Sequence, residues 1–134
     1  MHRFPWRWPS SFSWLGGWLG LVSWSVAAER PVDFNRDVRP ILSEYCFACH
    51  GFDEHGRQAD LRLDQAESAL SDRGGNFAIV PGKVEQSEVW RRIVSQDPDE
   101  VMPPPKAHEP LAEADKAILK RWIEEGAVYA GHWS

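Results

Sequence analysis

The chain has 134 residues, enough for one small domain, and carries 20 acidic against 15 basic side chains, a formal net charge of −5. That balance speaks against nucleic acid as a partner. Its two cysteines, Cys46 and Cys49, lie too close in sequence to act as a stabilising disulfide, because so short a loop restricts the unfolded chain little.

Composition changes sharply near residue 28. Trp6, Trp8, Trp14, Trp18 and Trp24 all precede it, together with Arg3 and Arg7 and no acidic residue. A positive start, a mostly apolar stretch from Phe12 to Val26 and a small-residue site at Val26-Ala27-Ala28 read as a secretory signal peptide over 1–28, cleaved after Ala28. A retained membrane anchor is the competing reading, but the apolar stretch falls short of the roughly 20 residues a spanning helix needs and is interrupted by Gly16, Gly17 and Gly20. The mature domain is then 29–134, exported, with 13 basic against 20 acidic residues and no later run able to cross a membrane.

Phe34, Val38, Ile41, Leu42 and Tyr45 recur at helical spacing. Pro40 fits only near a helix start, so the spacing predicts a short first helix capped by Asp37 and running into Cys46. Residues 51–63 are polar and read as a surface loop. Asp64 and Glu67 have the form of a capping box for a brief helix to about Leu70, ahead of Gly74-Gly75. Ser87 can cap a third helix with Val89, Trp90, Ile93 and Val94 on one apolar face. Asp97 to Pro110 holds five prolines and is expected to be stiff and extended through Pro103-Pro104-Pro105. A last helix over 113–125 turns Ile118, Leu119, Trp122 and Ile123 inward and stops at Gly126. No alternating apolar pattern of useful length occurs. The expected fold is all-α, a small loop-rich helical domain.

The strongest chemical signal is Cys46-Phe47-Ala48-Cys49-His50. C-x-x-C-H is the haem-attachment sequence: two thiols on one helical turn can add to the two vinyl groups of one porphyrin, and the next residue brings an imidazole under the iron. A thiol-redox pair would sit at a helix start in a βαβ setting, whereas here the pair is expected to end a helix. Zinc needs four ligands, and without a second cysteine pair His55, His108 and His132 would have to gather from scattered loops. Cys46 and Cys49 are thus the covalent attachment points for one haem c, and His50 the proximal iron ligand. For the distal position Met102 is the candidate, since it is the one methionine after residue 28 and prolines can hold its loop across a pocket. The alternatives are that Met102 is core filler, or that His55 or His108 binds instead. Trp90 and Trp122 read as hydrophobic walls, with Phe34 and Tyr45 alike; around a haem, core and cofactor pocket are expected to coincide.

Phe34 to Leu42, Cys46 to Gly51, Ala59 to Asp64, Ile79 to Gly82, Met102 to Pro104 and Trp122 to Ala127, taken in order, resemble the planctomycete cytochrome c domain across Val32 to Trp133. The resemblance implies a class I cytochrome c-like fold with His50 proximal and Met102 distal. Ala112 departs from it, standing where the family often has Ser or Thr to cap the last helix. Larger domains usually begin in that family near where this chain stops, at Gly131 to Ser134, so further domains lost or absent at the C-terminus are an expectation. The functional expectation is a mono-haem electron-transfer domain serving an unidentified redox protein outside the cytoplasm, and not itself an enzyme. A haem-based sensor, with Met102 leaving the iron, and a haem-bound structural domain without a redox partner are the other classes.

Overall fold

Asp33, not Asp37, starts the first helix: its Oδ1 accepts from the Arg36 amide at 2.8 Å, while its own amide donates to Asp37 Oδ2 at 2.9 Å. This reciprocal cap opens a wide π-helical turn over Phe34–Val38, which continues directly into helix α1, Arg39–Tyr45, with Pro40 in its first turn. Asp37 was the expected cap, but its carboxylate is committed to the Asp33 amide and to Arg30 and Arg36. The computed structural model describes residues 29–131, so the predicted signal peptide and the final residues 132–134 lie outside the described residues.

Four further helices follow: α2 Phe47–His50, α3 Ala66–Ala69, α4 Glu88–Ile93 and α5 Glu113–Glu124, with a 3-10 turn at Val84–Gln86 ahead of α4. Among the described residues there is no strand, only an isolated bridge between Asp72 and Phe77, and the all-α, loop-rich expectation holds. No helix of the described residues is long and apolar enough to cross a membrane.

Two caps differ from expectation. Asp64 does not cap α3; its carboxylate pairs with Arg62 at 2.5 Å, which leaves Gln65 at the cap position without a side-chain bond. Ser87 does precede α4, yet its hydroxyl turns away from the helix: it accepts from the Val80 amide at 2.9 Å and donates to the Lys83 carbonyl at 3.0 Å. Ser87 is buried and fixes the 80–83 turn against α4. Ala112 precedes α5 without a side-chain cap, as its methyl group dictates.

The core is one cluster that draws Phe34, Val38, Ile41 and Leu42 from the first helix and Leu119, Trp122 and Ile123 from α5, with Leu63, Ile79 and Ile93 between them. Ile118 and Trp90 are only partly buried, and Val94 is exposed because α4 ends at Ile93. Gly126 and Ala127 close α5 with φ of 107° and 49°, so that the Ala127 amide bonds the Trp122 carbonyl at 2.8 Å. The reversal brings Val128 O to the Trp122 indole at 3.1 Å and Tyr129 Oη to the Leu63 carbonyl at 3.1 Å. The rings of Phe34, Trp122 and Tyr129 pack at 4.6 to 5.7 Å between centroids. The C-terminal segment is thereby fastened to the stretch that follows the Cys46–His50 peptide.

Candidate functional site

The chain breaks at Cys46. Its φ of −123° closes α1, whose Leu42 carbonyl takes the Cys46 amide at 2.9 Å, and its carbonyl then starts α2 by accepting from Cys49 and His50 at 3.1 and 2.7 Å. The cysteine pair therefore lies on a second helical turn of its own, a correction to the expectation that it ends the first helix. Both thiols are free and half-buried.

α2 is one turn long, and the loop after it supplies what such a turn lacks. Cys49 O accepts from the Gln58 amide at 2.7 Å, His50 O from Leu63 at 2.8 Å, and Gly51 O and Phe52 O from the Arg57 guanidinium at 3.1 and 3.0 Å. Carbonyls at a helix end need such partners. Residues 51–63 form a mostly exposed loop, as their polarity predicts, but one folded back onto the cysteine peptide, with Gly51 and Leu63 buried. Gly51 is sterically required: a Cβ there would overlap the Phe47 carbonyl oxygen and stand 3.1 Å from two more backbone atoms. Ala59 and Asp60 both adopt left-handed backbone, φ 53° and 49°, and Arg73 holds this turn by donating to the carbonyls of both.

Beside the core lies a cavity of about 520 Å³, lined by Cys46, Cys49, His50 and Met102. That size suits a bound organic cofactor, for which sites of roughly 300–1,000 Å³ are usual. Leu61, Leu63, Phe77, Val89 and Ile93 give it an apolar wall. Gln58, Arg73, Asn76 and Arg92 bring polar groups to the same wall. His108 also lines it, its ring 4.6 Å from that of Tyr45 and its Nε2 3.5 Å from Glu44. His55 does not line the cavity, and His132 lies outside the described residues. The sequence brings Met102 here through its amide, which bonds the Arg92 carbonyl at the end of α4 at 3.1 Å, and through buried Pro103. Trp90, Trp122 and Phe34 do not line it; of the aromatic residues expected to form its wall only Tyr45 does. Core and cavity are neighbours that share Leu63, Ala78 and Ile93, not one space.

The electrostatics separate the three readings of the cysteine motif. Burial, with Cys49 adding to it, pushes the Cys46 thiol up to about 12, the reverse of the lowered pKa that activates a redox cysteine. Among the described residues no three of His, Cys, Asp and Glu gather as a metal-ion site, which removes support for zinc. Burial lowers the pKa of His50; the nearby Gln58 backbone opposes this and the charges of Arg92 and Arg73 reinforce it. His50 Nδ1 is buried and no hydrogen bond of ordinary geometry reaches it. A neutral imidazole is the form that binds a metal, and two thiols sit within one helical turn of it, lining the same cavity. These residues fit a covalently held haem.

Arg57, Arg73 and Arg92 were not visible as site residues in the sequence. Their partners are mostly backbone carbonyls of folded loops, which leave no local pattern; an arginine beside a glycine-rich turn, as in Arg73-Gly74-Gly75, was the one available hint.

No curated protein and no solved structure matches the chain. The sequence profile of the planctomycete cytochrome C family matches residues 46–106, a narrower span than the resemblance drawn from sequence blocks over 32–133. The match opens on the cysteine peptide and takes in Met102 and the α4 wall, and over residues 46–106 the chain is similar to the planctomycete cytochrome C family.

Proposed function

We propose that the chain is a mono-haem c-type cytochrome domain, exported by residues 1–28, that exchanges electrons with a redox protein outside the cytoplasm. The observation that carries this is the meeting of Cys46, Cys49, His50 and Met102 on the wall of one cavity, within the segment that matches a cytochrome family. Bound haem c would supply a one-electron couple between ferric and ferrous iron. Cys46 and Cys49 would anchor it, neutral His50 would give the proximal nitrogen, and Met102 the distal sulfur. Leu61, Phe77, Val89 and Ile93 would give the group an apolar surface to pack on, while Arg73 and Arg92, also lining the cavity, would be placed to meet carboxylates. The domain is read as an electron carrier rather than an enzyme. Its redox partner would meet an acidic protein.

A second reading, a haem-based sensor or ligand-binding module, draws on His108, which shares the cavity with Met102 and offers a competing ligand. One experiment separates these. Exported with a c-type maturation system, the protein is expected to keep one haem per chain through acid-acetone extraction and denaturing electrophoresis. The ferric form should show the weak deep-red absorption of sulfur bound to iron. Extractable haem refutes the c-type assignment; covalent haem that binds carbon monoxide at once, without that absorption, favours the sensor.

A further inference from the structure

We propose that Arg91 is a positioning residue, clamping the loop that bears Met102 onto α4 through Glu88 and Glu100 and so setting how readily the distal side of the site opens. The inference rests on the reading of Met102 as distal ligand.

Arg91 joins carboxylates from two separate segments. Its Nε and Nη2 donate to Glu88 Oε2 and Oε1 at 2.8 and 2.7 Å, within α4, and its Nη1 donates to Glu100 Oε2 at 2.8 Å, on the loop. Arg92 reinforces both ends: its Nε donates to Glu88 Oε1 at 2.7 Å and its Nη1 to the Glu100 carbonyl at 3.4 Å. Glu100 is no loose anchor, because residues 97–101 form a self-contained turn. The amides of Glu100 and Val101 bond the Asp97 carbonyl at 3.0 and 2.8 Å, and the Asp99 amide bonds Asp97 Oδ1 at 2.9 Å. Fixing Glu100 therefore fixes Met102 two residues on. Arg91 itself does not line the cavity, whereas Glu88 and Arg92 do. It acts on the site only through its two partners.

The partners are partly exposed, the Arg91–Glu100 pair about 46% and 45% at the side chains, so the clamp is a modest and salt-sensitive device. One such pair shifts an equilibrium by at most about fivefold. The Met102 amide bond to Arg92 and the prolines hold the loop when the clamp is lost, so Met102 should loosen and not be expelled.

The test uses the exported holoprotein and its Arg91→Gln, Arg91→Lys and Glu100→Gln variants, with imidazole as the probe ligand for ferric iron. Arg91→Gln and Glu100→Gln should each raise imidazole affinity by about 2- to 5-fold at low salt. The double variant should match either single one. Arg91→Lys should restore much of the native value. Salt should raise the affinity of the native protein towards that of Arg91→Gln and leave Arg91→Gln itself nearly unchanged. A merely structural loss would lower the melting temperature without that salt pattern or the lysine rescue. Native-like imidazole binding by both single variants, with the sulfur–iron absorption present, overturns the clamp alone. Absence of that absorption from the native protein overturns the Met102 reading and the clamp with it.

Discussion

Gly51→Ala should damage both the fold and its cofactor, although it adds a single methyl group. The Cβ would overlap the carbonyl oxygen of Phe47 and lie 3.1 Å from its carbonyl carbon and Cα, all backbone atoms that cannot rotate aside. Gly51 has φ −128° and ψ −153°, extended backbone, so the cost is overlap and not conformation. Overpacking of this kind costs about 1–3 kcal/mol where side chains can yield. Here the yielding atoms belong to α2, and about 3 kcal/mol is the reasonable figure. At about 4–8 °C per kcal/mol for a domain of this size, the melting temperature should fall by about 12–24 °C. Relief requires α2 itself to distort, which shifts Cys46 and Cys49 relative to His50, so covalent haem per chain should fall as well. Gly74→Ala is the contrast: nothing lies within 4 Å of its Cβ, but φ is +77°, so it should cost only about 1–2 kcal/mol and leave haem content intact. Gly131→Ala, with no atom of the described residues within 4 Å and no positive φ, should be neutral. Thermal melts and the ratio of haem absorbance to protein measure all three. A Gly51→Ala protein that melts within about 2 °C of native with full haem would refute the argument, since this is a small fraction of the shift expected from the overlap.

Met102→Leu keeps similar bulk but removes the sulfur; the sulfur–iron absorption should vanish, the midpoint potential fall and the ferrous form bind carbon monoxide. Unchanged spectrum and potential would transfer the role to His108, on the same cavity wall. Ser87→Ala leaves the Val80 amide and the Lys83 carbonyl without their hydroxyl partner in a buried place, and should cost about 1–3 kcal/mol in reversible urea unfolding. A loss below about 0.5 kcal/mol would mean that water replaces the hydroxyl.

Periodicity was a sound guide wherever a helix is long enough to average its contacts. α5 has the predicted register, with Leu119, Trp122 and Ile123 buried and Gly126 in left-handed backbone just past its end. It failed where one carboxylate had several possible partners. Asp37 and Asp64 each satisfy a cap pattern, yet Asp37 is drawn to the Asp33 amide and two arginines, and Asp64 to Arg62 two residues away. Such competition is settled by three-dimensional proximity, which the local pattern does not encode. The cysteine peptide and Met102 were legible because each is a chemically distinctive residue type. The cavity's polar residues were not: Arg73 and Arg92 come to it from segments apart in sequence, and the expectation that core and cofactor pocket coincide did not separate Trp122, which is buried in the core as predicted, from the cavity wall. Trp122 instead binds the C-terminal reversal, at Val128 and Tyr129.

The burial of Cys46 bears on the order of events during maturation. A thiol whose pKa burial pushes up to about 12 holds almost no thiolate at neutral pH, and thiolate is the reactive form. Once the domain has folded, Cys46, on the wall of the cavity, is chemically quiet. On the proposed chemistry, attachment then belongs to the open chain, emerging from export with both sulfurs in water, and closure follows as the seal.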